Sequence, residues 1–131
     1  MPPTLHNKEG LTVLNEAITD FVCEVYRSVL GIETVRPGDD FFGDLGGDSL
    51  SLAEAVSYIY DLLSVDIMEA MTTNTSASNV ALYIAPRLQQ ARGKARRDPS
   101  TSVAPQPLVE SAKRVLELVD MSVDEVAPGS R

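Results

Sequence analysis

Residues 40–50 read Asp40-Phe41-Phe42-Gly43-Asp44-Leu45-Gly46-Gly47-Asp48-Ser49-Leu50, a turn-rich stretch that opens into an apolar, periodic segment. Gly46 and Gly47 let the backbone turn sharply without a Cβ penalty, and Asp48 is a strong helix N-cap. The spacing predicts a helix beginning at Ser49, with the serine hydroxyl exposed at its N-terminus. The dipole and the unpaired N–H groups of a first turn favour negative charge there.

Downstream, the helix is expected to run to about Leu63, with Leu52, Ala53, Val56, Ile59, Tyr60 and Leu63 as its inward stripe. Ser51, Glu54, Ser57 and Asp61 then form its outer face, and Leu50 follows the serine. Upstream, Leu11, Leu14, Ile18, Phe21, Val22, Val25 and Val29 recur at helical spacing and mark a first long helix behind a flexible leader of residues 1–10. Gly31 and Pro37-Gly38 are stop and turn signals that open a long loop through Gly47. A loop of that length needs pinning, and Phe41 or Phe42 is expected to bury its ring beneath it.

After Leu63, residues 65–71 read as a connector with a short helical turn, and residues 72–78 as a polar turn with Ser78 as an N-cap. Val80, Leu82, Tyr83 and Ile84 indicate a last short core helix, which Pro86 is expected to end or kink. Residues 91–107, rich in charge, proline, serine and threonine, read as an exposed linker without a core of its own. Residues 108–131 carry another apolar stripe of Leu108, Val109, Ala112, Val115, Leu116 and Val119. Val126-Ala127-Pro128-Gly129 repeats the pattern of Val35-Arg36-Pro37-Gly38, so this segment is either the start of a second, truncated repeat or a docking helix.

At Phe41-Phe42 and Gly46-Gly47-Asp48-Ser49-Leu50 the sequence resembles the thiolation or carrier proteins of nonribosomal peptide and polyketide assembly lines, which are related to acyl carrier proteins. The resemblance implies an all-α fold: a small antiparallel four-helix bundle, three helices long and one short, spanning residues 11–90, with the C-terminal helix as an appendage. It implies that a phosphopantetheinyl transferase, using coenzyme A and magnesium, attaches 4′-phosphopantetheine to Ser49. Asp48, Leu50, Gly46 and Gly47 are then the flanking recognition motif, and Leu50, Ser51, Glu54, Ser57 and Asp61 the partner surface. Adenylation or acyltransferase enzymes would load the arm, and condensation or tailoring enzymes would act on its cargo. The protein itself would be a monomeric, non-catalytic carrier.

Gly47-Asp48-Ser49-Leu50-Ser51 also spells the nucleophile block of GDSL esterases and lipases. A serine hydrolase needs a general base, a group orienting it, and an oxyanion hole. The only histidine, His6, lies far upstream in a polar, proline-flanked terminus, and no strand pattern precedes Ser49. A non-covalent helical adaptor using the acidic face alone is the other reading outside the carrier class.

Composition bounds the remainder. A chain of 131 residues holds one small domain with extensions, and a core of about 75 to 80 residues buries limited apolar surface. The formal charge of −8, from 19 acidic and 11 basic residues, argues against nucleic-acid binding and favours basic partner patches. Arg92, Lys94, Arg96 and Arg97 gather in the expected linker, where a solvated run is the simplest reading. The single cysteine, Cys23, excludes an intramolecular disulfide and a cysteine metal cluster. No apolar run has transmembrane length and no secretion signal is present, so a cytoplasmic protein is expected.

Overall fold

The computed structural model describes residues 3–91 and 98–129, with side chains described for 12–91 and 98–120. Five α-helices follow in order: α1 (Pro3–Leu30), α2 (Ser49–Leu63), α3 (Met68–Met71), α4 (Ala77–Ala91) and α5 (Gln106–Gly129), with a 3-10 turn at Pro99–Thr101 before the last. The expected all-α bundle of three long helices and one short one is formed by α1 to α4.

The heptad-like recurrence along α1 places Leu14, Ile18, Phe21, Val22 and Val25 in the core. The helix packs against α2, α4 and α5, so it forms the central post of the molecule. Its backbone is helical from Pro3, across the stretch expected to be a leader. Gly31, in the left-handed region with φ of 67°, closes α1 by donating its N–H to the Arg27 carbonyl at 2.9 Å.

α2 has a different phase from the one its apolar residues suggest. The buried positions are Ser51, Ala55, Ile59, Leu62 and Leu63, whereas Ala53 and Tyr60 face solvent. The rotation follows from capping. Ser51 folds its short side chain back onto Asp48, so this polar residue sits inward without an unpaired group, and Tyr60 keeps its phenol in water.

α4 is 15 residues long and continues through Pro86. The missing N–H at Pro86 deprives the Leu82 carbonyl of its usual donor, but Leu82 and Pro86 are both on the exposed side of the helix, which faces solvent. Its cap is Ser76, not Ser78: Ser76 Oγ accepts the Asn79 N–H at 3.3 Å. The Ser78 N–H instead donates to the Pro37 carbonyl at 2.9 Å, tying the long loop to the start of α4.

The region expected to be a linker is only partly separate from the body. Pro99 and Ala104 are buried, and the Ser102 hydroxyl hydrogen-bonds the Asp61 carboxylate on α2. The basic run Arg92 to Arg97 lies outside the described residues. Beyond it, α5 starts at Gln106 and buries Leu108, Val109, Ala112, Val115 and Val119 against α1 and α2, in the same core cluster as Phe21 and Ile59.

Candidate functional site

The long loop between α1 and α2 is held by one ring. Phe41 is fully buried, 4.8 Å from Tyr26 and 5.2 Å from Phe42 between ring centroids, while Phe42 remains 39% exposed. Tyr26 donates its hydroxyl to the Thr75 carbonyl at 2.8 Å, and burial pushes its pKa up, so the phenol stays a donor. The Thr75 hydroxyl accepts the Phe41 N–H at 2.8 Å and donates to Asp40 Oδ1 at 2.6 Å. The second Asp40 oxygen accepts the Gly43 N–H. The Thr75 hydroxyl and then the Gly43 amide hold the Asp40 carboxyl below its ordinary range.

From Phe41 the chain winds one compact turn to the helix. The Gly47 N–H donates to the Phe41 carbonyl at 2.8 Å, and Gly47 lies flat against the Phe41 ring. A Cβ at residue 47 would fall well inside van der Waals contact with Cδ2, Cε2 and Cζ of that ring, so the second glycine is required by close approach. Gly46 is required for another reason: its φ of 76° is left-handed.

Asp48 then caps α2. Its carboxylate accepts the Ser51 N–H at 2.9 Å, and Ser51 Oγ accepts the Asp48 N–H at 2.8 Å, a capping box with serine at its third position. The Ser51 amide and hydroxyl hold the Asp48 carboxyl below its ordinary range. The helical ladder begins with the Leu52 N–H on the Asp48 carbonyl, so the Ser49 and Leu50 amides precede it.

Ser49 is therefore the first residue of α2, exposed, and among the described residues its hydroxyl has no hydrogen-bond partner. Leu50 beside it is 73% exposed. Glu54 and Ser57 share the outer face of the helix with them. Two residues expected there do not stand free: Ser51 is buried in the cap, and the Asp61 carboxylate is engaged by Ser102. Sequence reasoning missed Thr75 and Tyr26. The turn cluster of residues 72–78 signals a polar connector and nothing more specific, because the partners of Thr75 lie 34 and 35 residues away.

Residues 20–84, from within α1 into α4, match the family described as the phosphopantetheine attachment site. This part of the chain is a phosphopantetheine attachment domain. The group borne by such a domain is 4′-phosphopantetheine, and carrier domains of this kind generally work with phosphopantetheinyl transferases and with catalytic partner enzymes. No curated protein and no solved structure matches the chain.

The residues of the attachment domain fit the group. It needs one accessible hydroxyl, free of internal partners, in a setting that tolerates phosphate charge, and the start of α2 provides these at Ser49. Among the described residues no cluster of His, Cys, Asp and Glu is arranged to hold a metal, and no helix is long and apolar enough to cross a membrane. Cys23 is buried, which pushes its thiol up to about 11 and keeps it protonated and unreactive.

Proposed function

We propose that Ser49 is the attachment residue and that this protein shuttles aminoacyl, peptidyl or acyl intermediates in nonribosomal peptide or hybrid polyketide biosynthesis. One observation carries the assignment: the Ser49 hydroxyl stands exposed and unpartnered at the first position of α2, behind a loop braced on Phe41. When bound, the arm supplies a terminal thiol on which cargo is held as a thioester.

The residues around Ser49 divide the remaining tasks. Gly46 and Gly47 let the loop turn and close on the Phe41 ring just before the serine, and Asp48 fixes the helix start without occupying the serine. Among the described residues none accepts a bond from the Ser49 hydroxyl, which favours the transferase as the source of the base that removes its proton. The same fact weighs against a hydrolase, whose nucleophile needs a paired base. The outer face of α2 presents Leu50, Glu54 and Ser57 to partner enzymes, with Leu50 as the apolar anchor and Glu54 favouring a basic patch opposite it. The carrier makes no bond in its cargo; loading falls to an adenylation or acyltransferase enzyme, and elongation to condensation or tailoring enzymes. A cytoplasmic setting, with Cys23 reduced, accords with this role.

Intact-protein mass spectrometry after incubation with a broad-specificity phosphopantetheinyl transferase, magnesium and coenzyme A tests the assignment. Wild type gains one phosphopantetheine and Ser49→Ala gains none. No adduct on folded wild type would favour the non-covalent adaptor, and an adduct on Ser49→Ala would move the attachment elsewhere.

A further inference from the structure

The Thr75 hydroxyl sits at the junction of three parts of the fold that are remote in sequence. Thr75 is 4% exposed, and its backbone is fixed from behind by the Tyr26 hydroxyl on α1. Its own hydroxyl uses both of its capacities: it accepts from the Phe41 N–H at 2.8 Å and donates to Asp40 at 2.6 Å. Phe41 in turn accepts the Gly47 N–H at 2.8 Å and supplies the ring against which Gly47 packs. Gly47 leads directly through Asp48 to Ser49. A chain of contacts thus runs from α1 through the loop before α4 to the start of α2, and each link is a single hydrogen bond or a close packing contact.

We infer that Thr75 is a positioning residue for the modification of Ser49: through Phe41 and Gly47 it holds the first turn of α2 in the geometry that the transferase uses. The inference rests on Ser49 being the attachment residue. Thr75 lies in the loop before α4 and is buried, whereas Leu50, Glu54 and Ser57 on α2 are exposed, so Thr75 acts through the loop and not as a surface contact of its own. Loss of the hydroxyl leaves the buried Phe41 N–H without its acceptor and leaves the Asp40 carboxylate held by the Gly43 N–H but no longer by Thr75, so the loop relaxes and Ser49 is presented over a range of positions. Misplacement of a reacting atom by an ångström or less is costly in rate even when the fold is intact.

The test compares initial rates of phosphopantetheine transfer from coenzyme A to wild type, Thr75→Val, Thr75→Ser and Asp40→Ala, with folding checked by circular dichroism. Thr75→Val is expected to lower kcat about tenfold with KM little changed. Thr75→Ser, which keeps the hydroxyl, stays close to wild type. Asp40→Ala, at a partly exposed position, gives a smaller loss of kcat in the same direction and stands in for Thr75→Val should the latter fail to fold. Wild-type kcat in Thr75→Val or, if that variant is unfolded, in Asp40→Ala would overturn the inference, as would equal losses in Thr75→Ser and Thr75→Val. A wild type that accepts no arm would instead remove the Ser49 assignment, a result separate from any of these.

Discussion

Asp48 does two things at once at the edge of the site: it ends the loop and starts α2, and the Ser51 bonds that achieve this stabilise its ionised form. A carboxyl whose pKa is lower folded than unfolded contributes stability that is complete above the unfolded value, about 3.8, and is lost as pH falls through the lowered folded value. The melting temperature of wild type is therefore expected to fall as the pH is lowered from about 5 to below the unfolded value. Asp48→Asn, which keeps an acceptor for the Ser51 N–H but does not titrate, should show a smaller fall over that range. Equal falls in thermal scans would assign the acid sensitivity to other carboxyls, of which Asp40, lowered by Thr75 and Gly43, is the first to test.

At the scale of elements, α4 carries a proline that the rest of the helix tolerates without needing. Replacing Pro86 by alanine restores an N–H for the Leu82 carbonyl at an exposed position, and is expected to stabilise the protein by about 1 to 3 kcal/mol. Urea unfolding should show a higher midpoint with an unchanged slope; a lower midpoint would mean that the proline ring packs usefully. Proline is a local signal whose outcome depends on which way the helix faces, and one sequence does not contain that information. The same limit explains α2. Its existence, its start at Ser49 and its cap were legible, because glycines, a capping aspartate and an apolar period act locally. Its rotation was not, because burial of Ser51 depends on a bond to Asp48 and exposure of Tyr60 depends on what lies opposite. Phe41 was legible as a pin but Thr75 was not, since the first follows from loop length and aromaticity and the second from contacts made only after folding.

For the whole molecule, charge and packing divide it differently. Between residues 31 and 86, Arg36 is the single basic residue against Glu33, Asp39, Asp40, Asp44, Asp48, Glu54, Asp61, Asp66 and Glu69, so the stretch that bears Ser49 is also the most acidic. Packing draws a wider boundary. The family match ends at 84, yet α5 buries Leu108 and Val115 completely against a core that α1 also lines, and Ser102 is bonded to α2. Apolar side chains removed from water in one shared cluster unfold together, because exposing either partner exposes both. Leu108→Ala is accordingly expected to destabilise the whole bundle by about 2 to 5 kcal/mol, lowering the midpoint of a single urea transition followed by both circular dichroism and tyrosine fluorescence. The four tyrosines, Tyr26, Tyr58, Tyr60 and Tyr83, lie on α1, α2 and α4 and none on α5, so the fluorescence reports on the bundle and not on the mutated helix. Should the fluorescence midpoint stay at its wild-type value while part of the helical signal melts earlier, α5 would be an appendage docked on a bundle that stands without it, and the folding unit would close near the end of α4.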